Sequence, residues 1–385
     1  MFTKTDPRDR FLTFIFFLFF FFQPLRDLRF VSFLALQDVI LFLGLLISIS
    51  FKKLKLLDYR LSLFTIFSCL LISITTKQYS LNYSENFLNT GKVLVAYGIV
   101  SFYIMVFVQQ HSNHLRIATY GITFGVALTL IFSFRDFLIT SDNTRLVGFS
   151  GHANYLAFSG TVCFILAIFF EASSIKLLLF RVIGITAGSI AILLTVSNTA
   201  ILCVCCTLIL RFAGKGYRLL LAPFVFLIAW LAFRTLPLFE NSKQRLDDAF
   251  TQRYSYSVGG LGNNSLQDRL YTNRASLERI SHNPFFGYGL DINGRVTSTG
   301  IETHNYLLLS WQTGGFFFLF FQLVLTIILC RKVLQRPYDK LVICLLICIL
   351  AFLLSEPWIY ERSITSLLFL IYFNRKRNNS ITNLA

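Results

Sequence analysis

Two stretches of the chain combine residue types that can bind an anion and move a proton. The first reads Arg269-Leu-Tyr-Thr-Asn-Arg274-Ala-Ser-Leu-Glu-Arg279-Ile-Ser-His-Asn-Pro284-Phe-Phe-Gly287-Tyr-Gly289. The second reads His304-Asn305-Tyr306-Leu307, with Gly314 and a long phenylalanine-rich run after it. Guanidinium groups offer forked donors to phosphate or carboxylate oxygens. A histidine, with an ordinary pKa of about 6.5, can accept a proton near neutral pH. Glycines two apart after a proline permit a tight turn with close backbone approach. The carboxylates of the same region, Asp247, Asp248, Asp268, Glu278, Asp291 and Glu302, have no metal-ligand spacing such as HExxH or DxD. No metal and no other cofactor is expected.

The elements that must position these groups are membrane helices. Of 385 residues 55% are hydrophobic and 14% charged, with 44 phenylalanines and a mean hydropathy of +0.65. That is more apolar surface than a soluble core of this length needs, which makes the chain an integral membrane protein. A formal charge of +16 raises the possibility of nucleic acid. The basic residues nevertheless fall in short clusters between apolar runs rather than along one polar face, so topology explains them and no nucleic-acid partner is expected. All eight cysteines lie in apolar stretches and read as small hydrophobes rather than disulfides or ligands.

With about 20 helical residues per crossing, the sequence predicts an all-α fold of about twelve membrane helices. They lie near 11–24, 30–51, 61–76, 93–109, 117–134, 153–170, 177–196, 199–211, 218–234, 304–330, 341–355 and 363–373. Breaks at Gln23-Pro24 and Ser197-Asn198 leave bent or re-entrant pairs open there. Residues 1–234 then hold nine helices, 235–303 form one large extracytoplasmic loop with short amphipathic helices, and 304–385 hold three more helices and a tail. Alternate loops concentrate Lys and Arg, for example at Lys52, Lys53, Lys55 and Arg60, and again at Arg331, Lys332, Arg336 and Lys340. By the positive-inside rule that side is the cytoplasm, with both termini on it, and the large loop faces outward.

Within the loop, Leu266, Leu270, Leu277 and Ile280 recur at helical spacing, so Ser265 to Ser281 reads as an amphipathic helix lying against the membrane domain. On that phase Arg269 sits at the edge of the apolar stripe and is the more enclosed arginine. Arg279 points to the opposite face, where substitution should be mild.

The arginine-helix-Pro284-x-x-Gly287-x-Gly289 pattern resembles that of the O-antigen ligase and polymerase superfamily. His304-Asn305-x-Leu307, with Gly314 beyond, resembles that superfamily's second signature. A weaker match is Arg145-Leu-Val-Gly148 followed by His152-Ala-Asn154. Three positions depart from the pattern. Asn198 stands where many members carry an arginine after serine, Asn273 where an aromatic is common, and Gln312 where an acid is frequent.

The resemblance implies a glycosyltransferase at the periplasmic face of the inner membrane, metal-independent by the lack of metal-ligand spacing. It would move a polysaccharide from undecaprenyl diphosphate onto lipid A–core oligosaccharide. A polymerase of repeat units would use the same donor with a lipid-linked glycan as acceptor. The resemblance also assigns roles: Arg269 to the departing diphosphate, His304 to the acceptor hydroxyl, and Arg145, Arg274, Asn305, Gly287 and Gly289 to substrate binding.

Each residue has a plainer reading. An arginine beside an amphipathic helix often only snorkels, His304 flanks a helix start, and Asn305 or Thr303 suits an N-cap. Trp311, Trp358 and Tyr360 fit an interfacial belt. Asp38 is an acid inside a predicted span and so a functional suspect that can also pair within the bundle. A transporter or flippase would need charged residues near the midplane and repeated halves, and a scaffold would not need this order of arginine, turn and histidine.

Overall fold

A computed structural model describes residues 7–25, 27–31, 34–51, 67, 70, 80–111, 113–139, 152–195, 197–212, 264–297, 300, 302–334, 339–356 and 362–373. These residues are overwhelmingly helical. The helices are α1 (Pro7–Phe21), α2 (Leu36–Phe51), α3 (Tyr83–Val93), α4 (Val100–Gln110), α5 (His114–Ile139), α6 (Ala153–Phe169), α7 (Ile175–Thr195), α8 (Asn198–Phe212), α9 (Asn264–His282), α10 (Ile292–Arg295), α11 (Tyr306–Leu334), α12 (Lys340–Ser355) and α13 (Arg362–Phe373). A π-helical turn, Leu94–Ile99, joins α3 to α4.

Among the described residues four stretches, Tyr83–Val108, His114–Ser133, Ile175–Thr195 and Tyr306–Ile328, are long and apolar enough to cross a membrane. At about 1.5 Å per residue each spans a hydrocarbon core of about 30 Å. Five shorter apolar helices accompany them: Leu36–Ser48, Ala153–Phe169, Asn198–Phe212, Lys340–Ser355 and Arg362–Phe373. The chain is therefore a helical membrane protein. Nearly all of the spans expected at 61–76 and 218–234, and the loop from 235 to 263, lie outside the described residues.

Two boundaries differ from expectation. The helix predicted over 30–51 begins only at Leu36, because Arg29–Val31 and Leu34–Ala35 pair as a short antiparallel hairpin. Asp38 explains the start: it lies in the first turn of α2 and accepts the Ala35 N–H at 3.3 Å, as an N-terminal acid does. It therefore sits at a helix start rather than in mid-helix. The helix predicted over 93–109 starts ten residues earlier. Asn82 caps it by accepting the Glu85 N–H at 3.2 Å, and the polar first turns through Lys92 carry no hydropathy signal. The break at Ser197-Asn198 is present: α7 ends at Thr195 and the Ser197 carbonyl accepts the Ile201 N–H at 3.0 Å to open α8.

The chain divides into two compact units. The first comprises 1–42, 115–263 and 338–348. Its centre is α6, where sixteen of seventeen residues are buried. Glycines let α7 approach it closely: a Cβ on Gly188 would lie 2.7 Å from the Gly160 carbonyl oxygen, and one on Gly184 would lie 2.8 Å from the Ala167 Cβ. This is the small-residue packing that membrane helices use where lipid removes the hydrophobic drive. The second unit comprises 43–114, 264–337 and 349–385, and it holds both signature stretches. In it α13 packs along α4, and Tyr97 meets Phe321 of α11 edge-on at 5.6 Å.

Candidate functional site

Helix α9 forms where the sequence predicts it and stops at Pro284, but it is turned over. Thr272, Ser276 and Ile280, spaced by four, are the buried positions, whereas Leu270 is 61% and Leu277 49% exposed. In water an amphipathic helix hides its leucines; in a membrane protein the apolar side can face lipid and the small polar side can face protein. The expected phase fails on that point. By the same geometry Arg269 falls within the angular range of the buried stripe and Arg279 at its edge, about 80° apart at 100° per residue, rather than on opposite faces.

The turn after α9 docks into a break in α11. Gly315 takes φ +65° and ψ −166°, and the helical ladder opens around it. In an unbroken helix the Phe316 N–H would bond the Gln312 carbonyl. Instead it donates to Pro284 O at 2.9 Å and Phe285 O at 3.2 Å, while the Gln312 and Thr313 carbonyls accept the Tyr288 and Gly289 N–H groups at 2.9 and 2.8 Å. The Trp311 indole N–H adds a 2.9 Å bond to Pro284 O. The Phe316 N–H and the Gln312 and Thr313 carbonyls thus all take partners from the turn.

The glycines are what this docking requires. Gly287 has φ +70° and Gly289 φ +94°; a Cβ on Gly287 would strike the Thr313 carbonyl oxygen, and one on Gly315 the Phe285 carbonyl oxygen. The amides of Gly287, Tyr288 and Gly289 are spent on protein carbonyls. The two signature glycines therefore act here through fold, and the structure gives their amides no bond to spare for a ligand.

Three polar anchors hold the loop that follows. Gln312, fully buried, donates from Nε2 to the carbonyls of Gly294, Val296 and Arg295 at 2.8, 3.1 and 3.3 Å. Its Oε1 accepts from the Ser276 hydroxyl at 2.7 Å and the Thr303 hydroxyl at 3.2 Å. Where an acid is frequent in the family pattern, an amide is needed here, because a carboxylate cannot donate to carbonyls. Arg279 donates to Val296 O, and to Asn293 O at 2.6 Å, and lies 4.3 Å over the Tyr288 ring. Burial pulls its pKa down, opposed by Tyr288 and Asp291. It is a loop clamp, contrary to the outward position expected. The third anchor is Asp291, fully buried, which accepts from Asn82 N at 2.8 Å, Ser80 Oγ at 3.3 Å and Gly294 N at 2.9 Å. Beside it Asn86 and Asn89 of α3 grip both sides of the Leu290 peptide at 2.7 and 2.6 Å.

The candidate reactive groups sit on this frame. Arg269 is about one-third exposed, and its Nη2 lies 3.6 Å from Oε1 of Glu356, whose side chain is 4% exposed just beyond α12. Sequence reasoning missed Glu356. Its only signal was an acid bordering an apolar helix, which becomes informative once Arg269 is found against it. Half-buried His304 directly precedes Asn305, and Asn305 Oδ1 caps α11 by accepting from Leu307 N at 3.0 Å and Leu308 N at 3.2 Å.

Gln312 connects the two stretches: Ser276, two turns after Arg269, and Thr303, next to His304, share its oxygen. Arg274 is exposed on α9, and Arg145 lies outside the described residues. His152 caps α6, its Nδ1 accepting from Asn154 N at 3.2 Å. Among the described residues no three His, Cys, Asp or Glu side chains gather as a metal site.

Residues 182–323 match the family model described as O-antigen ligase. Over those residues the chain is similar to the O-antigen ligase family. The match spans Arg269, the Pro284–Gly289 turn, His304 and the broken turn at Gly315; the weaker Arg145–Asn154 element and Glu356 fall outside it. No curated protein matches the chain. Together with the membrane helices, the family match supports a membrane glycosyltransferase of the ligase or polymerase type.

Proposed function

We propose that the protein is an O-antigen ligase-like enzyme that transfers a polysaccharide from undecaprenyl diphosphate to lipid A–core oligosaccharide. It works at the periplasmic face of the inner membrane, with both termini cytoplasmic. The observation that carries this reading is the pairing of Arg269 with buried Glu356 in the unit that also presents His304 at the start of a membrane-spanning helix.

In the reaction an acceptor hydroxyl oxygen forms a bond to the anomeric carbon of the donor glycan. The carbon–oxygen bond to the diphosphate breaks, and undecaprenyl diphosphate leaves with the electron pair. Arg269, oriented by Glu356, meets the negative charge that grows on the leaving diphosphate, with Arg274 as a further phosphate partner. His304 takes the hydroxyl proton, or orients that hydroxyl. Arginine alone would supply this charge stabilisation, so no metal or nucleotide is required by the scheme. Asn305 orients the histidine through the cap it makes on α11.

The alternative acceptor is a second lipid-linked repeat, which would make the protein a polymerase. Purified protein in liposomes, given undecaprenyl-diphosphate glycan and lipid A–core without ATP or an ion gradient, separates these readings. Glycan on lipid A–core is the expected product. Longer lipid-linked glycan with lipid A–core untouched would make the protein a polymerase, and no transfer at all would overturn both readings.

A further inference from the structure

The surface of α9 that faces away from the protein is apolar, and it continues onto a membrane-spanning helix. Leu270 and Leu277, 61% and 49% exposed, lie about 20° apart around α9, while exposed Glu278 and His282 are about 100° or more from Leu277 and 80° or more from Leu270. The helix thus has three sides: Thr272, Ser276 and Ile280 against the protein, leucines on a second side, and Glu278, Tyr271 and His282 on the third.

At its C-terminal end the turn presents Phe285 and Phe286, 61% and 40% exposed. The Phe316 N–H bonds to Pro284 O and Phe285 O place that turn against α11 where Phe316 and Phe320, 47% and 52% exposed, open the outward stripe of the span Tyr306–Ile328. That stripe has lipid as its solvent. An apolar patch continuous with it, on a helix that exposes leucines on one side and charged groups on another, has the polarity of a helix in the membrane interface rather than one in water.

We propose that α9 and the Pro284–Gly289 turn form an interfacial membrane anchor. Phe285 and Phe286 dip into the acyl chains of the leaflet beside the Gly315 break of α11, the leucine side of α9 lies on the lipid, and Glu278 and His282 face water. Arg269 and Arg274 then border the leucine side, one toward the protein and one toward water, at the depth of the phosphate groups. The occupant of the face is bilayer lipid. The inference stands on the polarity of the surface and does not depend on which glycan is transferred.

Spin labels test it in full-length protein reconstituted in phosphatidylethanolamine–phosphatidylglycerol bilayers, with single cysteines at 270, 277, 278, 282 and 285 in a background cleared of native cysteines. The ratio of oxygen to nickel-chelate accessibility should be severalfold higher at 270, 277 and 285 than at 278 and 282. Equal ratios, or protection from both reagents at 270 and 285, would overturn the proposal.

Because the cysteine-cleared protein can misfold, a second measurement keeps the native cysteines and places p-benzoylphenylalanine at Phe285. Illumination should add the mass of a phospholipid. Cross-linking instead to residues 213–263 of the same chain, or to a second copy, would show that protein covers the face.

Discussion

Substituting Gln312 by glutamate changes one NH2 group into an oxygen and leaves size and shape almost unaltered. The acceptor that serves Ser276 and Thr303 is kept, but the two N–H bonds that serve the carbonyls of Gly294, Val296 and Arg295 at 2.8 to 3.3 Å are lost. Each buried carbonyl deprived of its donor costs about 1–3 kcal/mol, and two N–H groups are lost, so the loop should be weakened by about 2–6 kcal/mol. Charge on the carboxylate next to three carbonyl oxygens adds to this. Gln312→Met, which removes both functions without adding charge, should lie between glutamate and wild type. Thermal unfolding in detergent and transfer activity both read the effect, and Gln312→Glu should lower both more than Gln312→Met. A Gln312→Glu protein as stable and active as wild type would refute the claim that the amide ties the two stretches together.

Arg269→Ala should abolish transfer and also leave Glu356 buried without this cation, costing about 1–3 kcal/mol; adding Glu356→Gln should restore stability but not transfer, and restored transfer would remove Arg269 from the chemistry. Arg279→Ala should lower the melting temperature, because two bonds from a charged donor at about 1.5–3 kcal/mol each and a ring contact are lost, although water can replace part of the more exposed one; an unchanged melting curve would contradict the clamp. Gly287→Ala must adopt a left-handed backbone costing about 1–2 kcal/mol and drive its Cβ into the Thr313 carbonyl, so folded yield should fall sharply, and normal yield would show that the turn does not dock as described.

The extent of α9 was legible because Pro284 ends it and its leucines set a helical period. Its orientation was not, since periodicity reports which residues share a face but not whether that face meets protein or lipid. The hairpin before Leu36 was hidden because apolar residues at 30–35 read equally as helix or strand. Asn86, Asn89 and Asp291 look like ordinary surface polar residues in sequence and become anchors only through contacts across about 200 positions. Gln312 did stand out as a departure from a family pattern, yet only the three carbonyls facing it explain why an amide is needed. Glu356 lacked any signal strong enough to pick out before Arg269 was placed beside it.

The central claim is that Arg269 holds the donor and His304 acts on the acceptor. Single-turnover transfer from radiolabelled undecaprenyl-diphosphate glycan to lipid A–core, run alongside donor binding by filtration, tests it most directly. Arg269→Ala should lose donor binding and transfer together. His304→Ala should keep donor binding while transfer slows by about 10²–10⁴-fold, the typical contribution of a general base. Transfer at wild-type rates in His304→Ala, or loss of donor binding in that variant with binding intact in Arg269→Ala, would contradict the account.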